Sequence, residues 1–381
     1  MNTSASPVRD VVRPLDFERL IVRDPAVNAA IRLEYATTYY RPEDADFLAT
    51  SLGQGDLDFN TFTRYNQSVR HALPWVSRYF PLAGKRILEI GCGTGSSTAA
   101  FAQVAASVHT CDVNARALPT AHERLRQMNI TNVTIDAVGA PEFMSLAREK
   151  YHRTFDAVLL FAVLEHQTLH ERIETLRQSW NLLEPGGALV VLETPNRLTY
   201  WDSHTSRLPF YGMLPPEMSV KCVPTTLSDS FRMSMASVAG GTRDEQELML
   251  TRWGRGISYH DVDLAIPRSE YTIVADGYER EIVDLFSVNY DERLLQSYVS
   301  AEKMDLSPAF CRSVLFMILL KDGGTGLAPV RSFSPMVASI DELSKLRDNL
   351  GGMTTDEIRR HLDHAIHNGT GFNYRPLPHS A

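Results

Sequence analysis

The stretch from Arg86 to Ser97 reads RILEIGCGTGSS, an apolar run that ends in Gly91, Gly93 and Gly95, with Glu89 two residues ahead of the first glycine. Glycines so closely spaced at the end of a run let a ligand approach the main-chain N–H groups, which suits an anionic or carboxylate-bearing cofactor. Asp112 stands twenty-one residues after Gly91. A carboxylate there offers two acceptor oxygens to the paired hydroxyls of a ribose. Three histidines in polar surroundings, His166, His204 and His260, are candidate general bases, because an imidazole titrates at about 6.5 when unperturbed. His166 is the first of them, with Asp202 and Glu165 as groups able to orient a ring.

The elements that must position these residues follow from the texture of the chain. Five short apolar runs, RILEIG (86–91), VHTCDV (108–113), VTIDAV (133–138), FDAVLLFAV (155–163) and ALVVLETP (188–195), alternate with segments of helical length. Those segments are Ser96–Ala105, Ala115–Met128, Pro141–Tyr151 and Leu169–Leu183. Such alternation predicts a parallel sheet covered on both faces, with ligands bound beyond the carboxyl ends of the strands. After 196–268 the pattern resumes with YTIVADG (271–277), a helical stretch Tyr278–Lys303, and SVLFMILLKDG (313–323). Residues 1–80 read as an N-terminal helical cap, with Val69, Leu73, Val76 and Phe80 at helical spacing. Residues 81–323 are the main domain, with 196–268 inserted as a lid over the acceptor. A Gly/Pro/Ser-rich linker and a helical tail fill 324–381, expected to cap the domain or to make an oligomer contact such as a homodimer.

Composition bounds the partners. The 381 residues are 44% hydrophobic with a formal charge of −8, which disfavours a phosphate-binding surface and a nucleic-acid partner. The four cysteines show no CxxC spacing, which fits a reducing compartment. No run reaches the ~18 apolar residues of a membrane span, and the start carries no apolar signal core. A cytoplasmic protein without membrane contact is the expectation.

A dinucleotide fingerprint places its third glycine where this chain has Ser96; here the third glycine comes early, at Gly95. The pattern E-x-G-x-G-x-G resembles the first motif of the class I S-adenosylmethionine-dependent methyltransferases. Asp112 alone does not separate that cofactor from a nicotinamide one. FDAVLLFAVLEH (155–166) resembles the family's fourth motif, and LLEPGGALVVLETPNR (182–197) its fifth strand and exit. The pairing is similar to that in ubiquinone-biosynthesis O-methyltransferases and in bacterial small-molecule and saccharide O-methyltransferases. The resemblance covers about residues 80–195, and 271–323 more loosely.

The resemblance implies a Rossmann-like, doubly wound α/β fold of seven strands, mostly parallel with the last strand antiparallel. It implies S-adenosyl-L-methionine as cofactor, held by Glu89, Gly91, Cys92, Gly93, Thr94, Gly95, Asp112, Val113, Val138 and Phe161. Glu89 is to order the loop and help hold the ammonium end, and His166 is to face the transferring methyl group. Many members carry an acid beyond the third strand for the adenine amino group; strand counting puts Gly139 there, so no acid is assigned. Some quinone enzymes use an acid three residues before the Glu of LEH to bind a metal. Here that residue is Ala162, so no metal is expected.

The start of the insertion, TPNRLTYWDSHTSRLPFYGMLPP (194–216), is dense in aromatic and polar side chains. It is expected to pass over the pocket and to stack on a polyhydroxylated or aromatic small-molecule acceptor, or else to fill a small core of its own. A second patch, WGRGISYHDVDLAI (253–266), carries His260. The expected reaction is methyl transfer to a hydroxyl of a saccharide or natural product, ahead of a phenolic or quinone-like acceptor. N- or C-methylation and a non-catalytic cofactor-binding scaffold remain as alternatives.

Overall fold

A computed structural model describes residues 16–139, 149, 155–302 and 304–321. The expected helix Pro141–Tyr151 lies outside these apart from residue 149, and so does the tail 324–381. Seven strands form one sheet: β1 (Arg86–Ile90), β2 (Ser107–Cys111), β3 (Val133–Asp136), β4 (Phe155–Phe161), β5 (Leu183–Pro195), β6 (Tyr271–Ala275) and β7 (Val314–Lys321). Their order is β3-β2-β1-β4-β5-β7-β6. The pairs among β1 to β5 are parallel, while β7 runs antiparallel to both β5 and β6. The doubly wound α/β arrangement with one reversed strand is therefore present. β1 and β4 are neighbours although β2 and β3 lie between them in sequence, so the strand order reverses at β1/β4. A ligand crevice forms at such a switch point.

The alternation of side chains sorts the sheet into two cores. Leu88, Ile90, Val158, Leu160, Leu189, Val191, Met317 and Leu319 face one side, where Leu176 and Trp180 of helix Leu169–Leu182 and Val262 of helix Tyr259–Ala265 cover them. Ile87, Ala157, Leu159, Val190, Phe316 and Ile318 face the other, packed by Trp75, Val76, Phe101 and Ile282. Burying one such aliphatic side chain is worth about 1.5–3 kcal/mol. Trp75 is fully buried and its indole N–H donates to Glu279 Oε2 at 2.8 Å, which locks the N-terminal helices onto the far end of the sheet.

The N-terminal region is helical in pieces. Helix Pro25–Thr38 starts on a capping Asp24, whose side chain accepts from the Ala26 N–H. From Ser51 to Tyr79 the chain stays helical but widens into π turns at Phe59–Thr63 and Ser68–Ala72, a feature that often marks functional positions. Val69, Leu73 and Val76 are buried as their spacing predicts. The expected helix Tyr278–Lys303 is two, Arg280–Leu285 and Tyr290–Ala301. The break falls between Leu285 and Tyr290, where Val288 is buried. Among the described residues no helix is long and apolar enough to cross a membrane.

Candidate active site

The crevice at the switch point opens into a cavity of about 1180 Å³. Its floor is the glycine loop. Gly91, Gly93 and Gly95 have φ of 80°, 51° and 75°, a region that favours glycine. A Cβ on Gly91 would sit 2.6 Å from Val163 Cγ2, so only a bare backbone fits between β1 and the exit of β4. Asp112 follows β2 and ties the loop down: the Gly93 N–H donates to its Oδ2 at 2.6 Å and the Asn114 N–H to its Oδ1 at 2.7 Å. Each carboxylate oxygen keeps a second lone pair for a ribose hydroxyl.

The cofactor candidates divide once placed in space. Gly91, Cys92, Gly93, Thr94, Asp112, Val113, Val138 and Phe161 line the cavity, as does Gly139. Glu89 and Gly95 lie behind the loop rather than on the cavity wall. Glu89 is fully buried and accepts from the hydroxyls of Ser97 and Thr98, so it clamps the first turn of helix Ser96–Ala102 to β1. Burial raises its carboxyl to about 7. Glu89 therefore stands where it orders the loop from behind, through the hydroxyls of Ser97 and Thr98. Gly95 backs onto Ala121, where a Cβ would meet the backbone at 3.0 Å.

Among the histidines, the structure brings two together and separates the third. His166 closes the short 3-10 turn Leu164–His166 at the tip of β4, and His204 comes from the insertion. Both line the cavity with ring centroids 6.0 Å apart. The His166 Nδ1 meets the Arg252 carbonyl oxygen at 2.9 Å. A carbonyl can only accept, so Nδ1 carries the proton and the neutral ring keeps its lone pair on Nε2. Burial holds both rings below their ordinary 6.5. Glu165 lies 3.7 Å from His166 Nε2 and is buried, which pushes its carboxyl up to about 8. Asp202 does not touch His204. It accepts from the Thr205 and Ser206 N–H groups at 3.0 and 2.8 Å and so shapes the turn that presents the ring.

His260 is corrected as a catalytic candidate. It is exposed at the start of helix Tyr259–Ala265, stacked on Tyr259 at 3.8 Å and beside Ser258 Oγ, away from the cavity. Its neighbour Asp261 is spent on an ion pair with Arg172 at 2.8 Å. Of the two expectations for the aromatic residues of the insertion, the structure shows the small core. Tyr211, Phe231, Met235 and Leu250 form a separate small core, and Tyr200 and Phe210 pack edge to face at 4.7 Å on the outside. The insertion residues that reach the cavity are Ser203, His204 and Arg252. Aromatic surface is buried best against other aromatic surface, so the rings satisfied one another and left the polar side chains at the wall.

Several wall residues were not singled out in the sequence. Tyr35 comes from helix Pro25–Thr38 and Tyr39 is the C-cap of that helix. Arg64, from the widened helical run, places its guanidinium 4.9 Å from the Phe161 ring centroid and 3.6 Å from Glu193 Oε2. Asn60 and Arg64, four apart, share a helix face, which was the available signal. Glu193 interrupts the apolar run of β5, at a bulge between Val191 and Thr194. Its φ is 51°, and Ala162 across from it has 53°; strained backbone of this kind gathers at functional sites.

Residues 88–189 match a family model described as a methyltransferase domain. The ubiquinone biosynthesis O-methyltransferase of Thiobacillus denitrificans is 32% identical over 125 residues, covering 33% of this chain and 50% of that protein. The protein of the same name from Burkholderia multivorans is 28% identical over 188 residues, 49% of this chain and 74% of that one. The chain spans about half the length of the first curated relatives it matches. Among solved structures, the plantazolicin methyltransferase BpumL bound to S-adenosylhomocysteine is 15% identical, with a TM-score of 0.37, covering 80% of this chain and 99% of that one. The matched segment runs from β1 into β5 and contains the glycine loop, Asp112 and the Leu-Glu-His tip of β4. Residues 88–189, set in a sheet of the order β3-β2-β1-β4-β5-β7-β6, are thus similar to the methyltransferase domain of these relatives.

Proposed function

We propose that this protein transfers the sulfonium methyl group of S-adenosylmethionine to a hydroxyl of a small polyhydroxylated molecule, a saccharide or a sugar-bearing natural product. The observation that carries the reading is His166. Its tautomer is set by the Arg252 carbonyl, and its Nε2 lone pair stands at the wall of the cavity that the glycine loop floors. In the reaction an acceptor oxygen attacks the methyl carbon in line with sulfur. The carbon–sulfur bond breaks with its electron pair on sulfur, and the hydroxyl proton passes to His166 Nε2. The cation is already activated, so alignment supplies most of the acceleration, and the base contributes about 10²–10⁴-fold.

The wall beside the tips of β4 and β5 is polar: Arg64, Glu165, His166, Glu193 and His204. Donors and acceptors of this density suit a hydroxyl-rich acceptor better than a quinone ring, which needs an apolar slot. Oxygen as the methylated atom has the support of the relatives' names. Residues 196–268 act as the lid over the acceptor, and the described residues 16–80 as the cap over the cofactor.

The test is methyl transfer from labelled S-adenosylmethionine to a panel of glycosides and nucleotide sugars beside a panel of catechols. Label in the sugar panel is the expected result. Label confined to the catechols overturns the acceptor class, and label found only on nitrogen or carbon overturns O-methylation.

A further inference from the structure

Glu165, His166 and His204 bring one carboxylate oxygen and two ring nitrogens within 4.8 Å of one another. The first two come from the tip of β4 and the third from the insertion. Glu165 is 1% exposed, and its Oε2 has no hydrogen-bond partner among the described residues. A buried carboxylate oxygen left this way is costly unless a cation or donor arrives. His166 has its Nδ1–H held by a backbone carbonyl at 2.9 Å. That outer hydrogen bond is what orients a metal-ligating imidazole and leaves Nε2 to bind. Gly254 packs against both rings, where a Cβ would lie 2.6 Å from His204 Cε1 and 3.2 Å from His166 Cε1. Its missing side chain is what lets the two imidazoles approach each other.

We propose that Glu165, His166 and His204 form a site for a divalent transition cation of the zinc, manganese or cobalt kind. Two imidazoles and one carboxylate are a ligand set for such ions that leaves coordination positions open. The open positions face the cofactor cavity, and neighbouring hydroxyls of the acceptor fill them. The cation balances the buried carboxylate and ties the insertion to the sheet. The inference rests on the reading of the cavity as the site of a hydroxyl acceptor, and it changes one part of it. A bound cation would take the Nε2 lone pair, so in the loaded protein His166 would serve as ligand, the cation would acidify the acceptor hydroxyl and its proton would leave to solvent; His166 is the proton acceptor only without the ion. Ala162, standing where an acid ligand was sought in the sequence, is no obstacle, because His204 supplies the third ligand from the insertion.

The experiment is titration of the chelator-stripped full chain with cobalt(II), followed by visible absorption and calorimetry. One equivalent is expected to bind with the d–d bands of an imidazole- and carboxylate-bound ion, and zinc(II) is expected to displace it. His204→Ala and Glu165→Gln are expected to lose at least about tenfold in cobalt affinity while still binding S-adenosylhomocysteine, which shows that they are folded. His260→Ala, outside the cluster, is expected to keep the full equivalent. No saturable cobalt binding by the unaltered chain, or unchanged binding by His204→Ala, overturns the site. Methyl transfer is followed in the same preparations. Cobalt binding without transfer to any hydroxyl compound overturns the functional reading alone, and full transfer by a stripped chain that binds no cobalt overturns the cation site alone.

Discussion

His166 and Arg252 are joined twice across the mouth of the cavity. The His166 Nδ1–H donates to the Arg252 carbonyl at 2.9 Å, and Arg252 Nη1 donates to the His166 carbonyl at 2.8 Å. The same guanidinium grips Glu171 with two bonds of 2.7 and 2.6 Å. Glu171 also closes the capping box on Thr168 at the start of helix Leu169–Leu182. The insertion is thereby fastened to the β4 tip, and it decides which ring nitrogen of His166 carries the proton. Arg252→Ala keeps the carbonyl but loses the grip, so the ring wanders. Turnover is expected to fall about three- to tenfold, a loss on the order of 1 kcal/mol of transition-state alignment. S-adenosylhomocysteine affinity by calorimetry is expected to hold.

His166→Ala removes the side chain the proposed transfer step depends on. Turnover with a hydroxyl acceptor is expected to drop by about 10²–10⁴-fold, with cofactor affinity within about twofold because the ring is not among the residues expected to hold the cofactor. Steady-state rates beside calorimetry check it; full turnover in the variant removes His166 from the mechanism.

Asp112→Ala deletes the carboxylate that accepts from the Gly93 and Asn114 N–H groups. The loop loses an anchor and the ribose loses its acceptors, each charge-assisted bond being worth about 1.5–3 kcal/mol. Affinity for S-adenosylhomocysteine is expected to weaken by more than about tenfold, measured by calorimetry. An unchanged dissociation constant would remove Asp112 from the cofactor site.

Gly254→Ala tests the close approach of the two imidazoles. Gly254 has a φ of 116°, and the added methyl would press on His204. Overpacking of this kind costs about 1–3 kcal/mol, and the displaced rings are expected to lower turnover more than stability. Thermal unfolding and acceptor kinetics on one preparation separate the two effects.

The Glu171–Arg252 pair sets an acid limb on stability. Arg252 and the Thr168 N–H hold the Glu171 carboxyl at about 2, against 4.5 when free. A folded value below the unfolded one means the stabilisation is complete above about 4.5 and is lost as pH falls toward 2. Unfolding temperatures between these limits are expected to fall less steeply for Glu171→Gln. Identical slopes for the two proteins would show that the pair contributes nothing.

Much of the scaffold was legible in the amino-acid sequence, because its signals are local. The five apolar runs reappear as β1 to β5, Gly91, Gly93 and Gly95 take the left-handed backbone their spacing calls for, and Asp112 follows β2. A strand, a turn and a cap each depend on a handful of adjacent residues, so their chemistry can be read before any folding. The acceptor end of the cavity depends on the opposite kind of information. Arg64 meets Glu193, His166 meets Arg252 and His204, and the aromatic rings of the insertion turn into a core of their own. These partners lie tens of residues apart, and only packing of the insertion and the N-terminal helices onto the sheet brings them together. No spacing in the chain encodes which ring of the insertion faces the cavity and which buries itself. That choice is made by the free energy of burying apolar surface, which the folded chain settles as a whole.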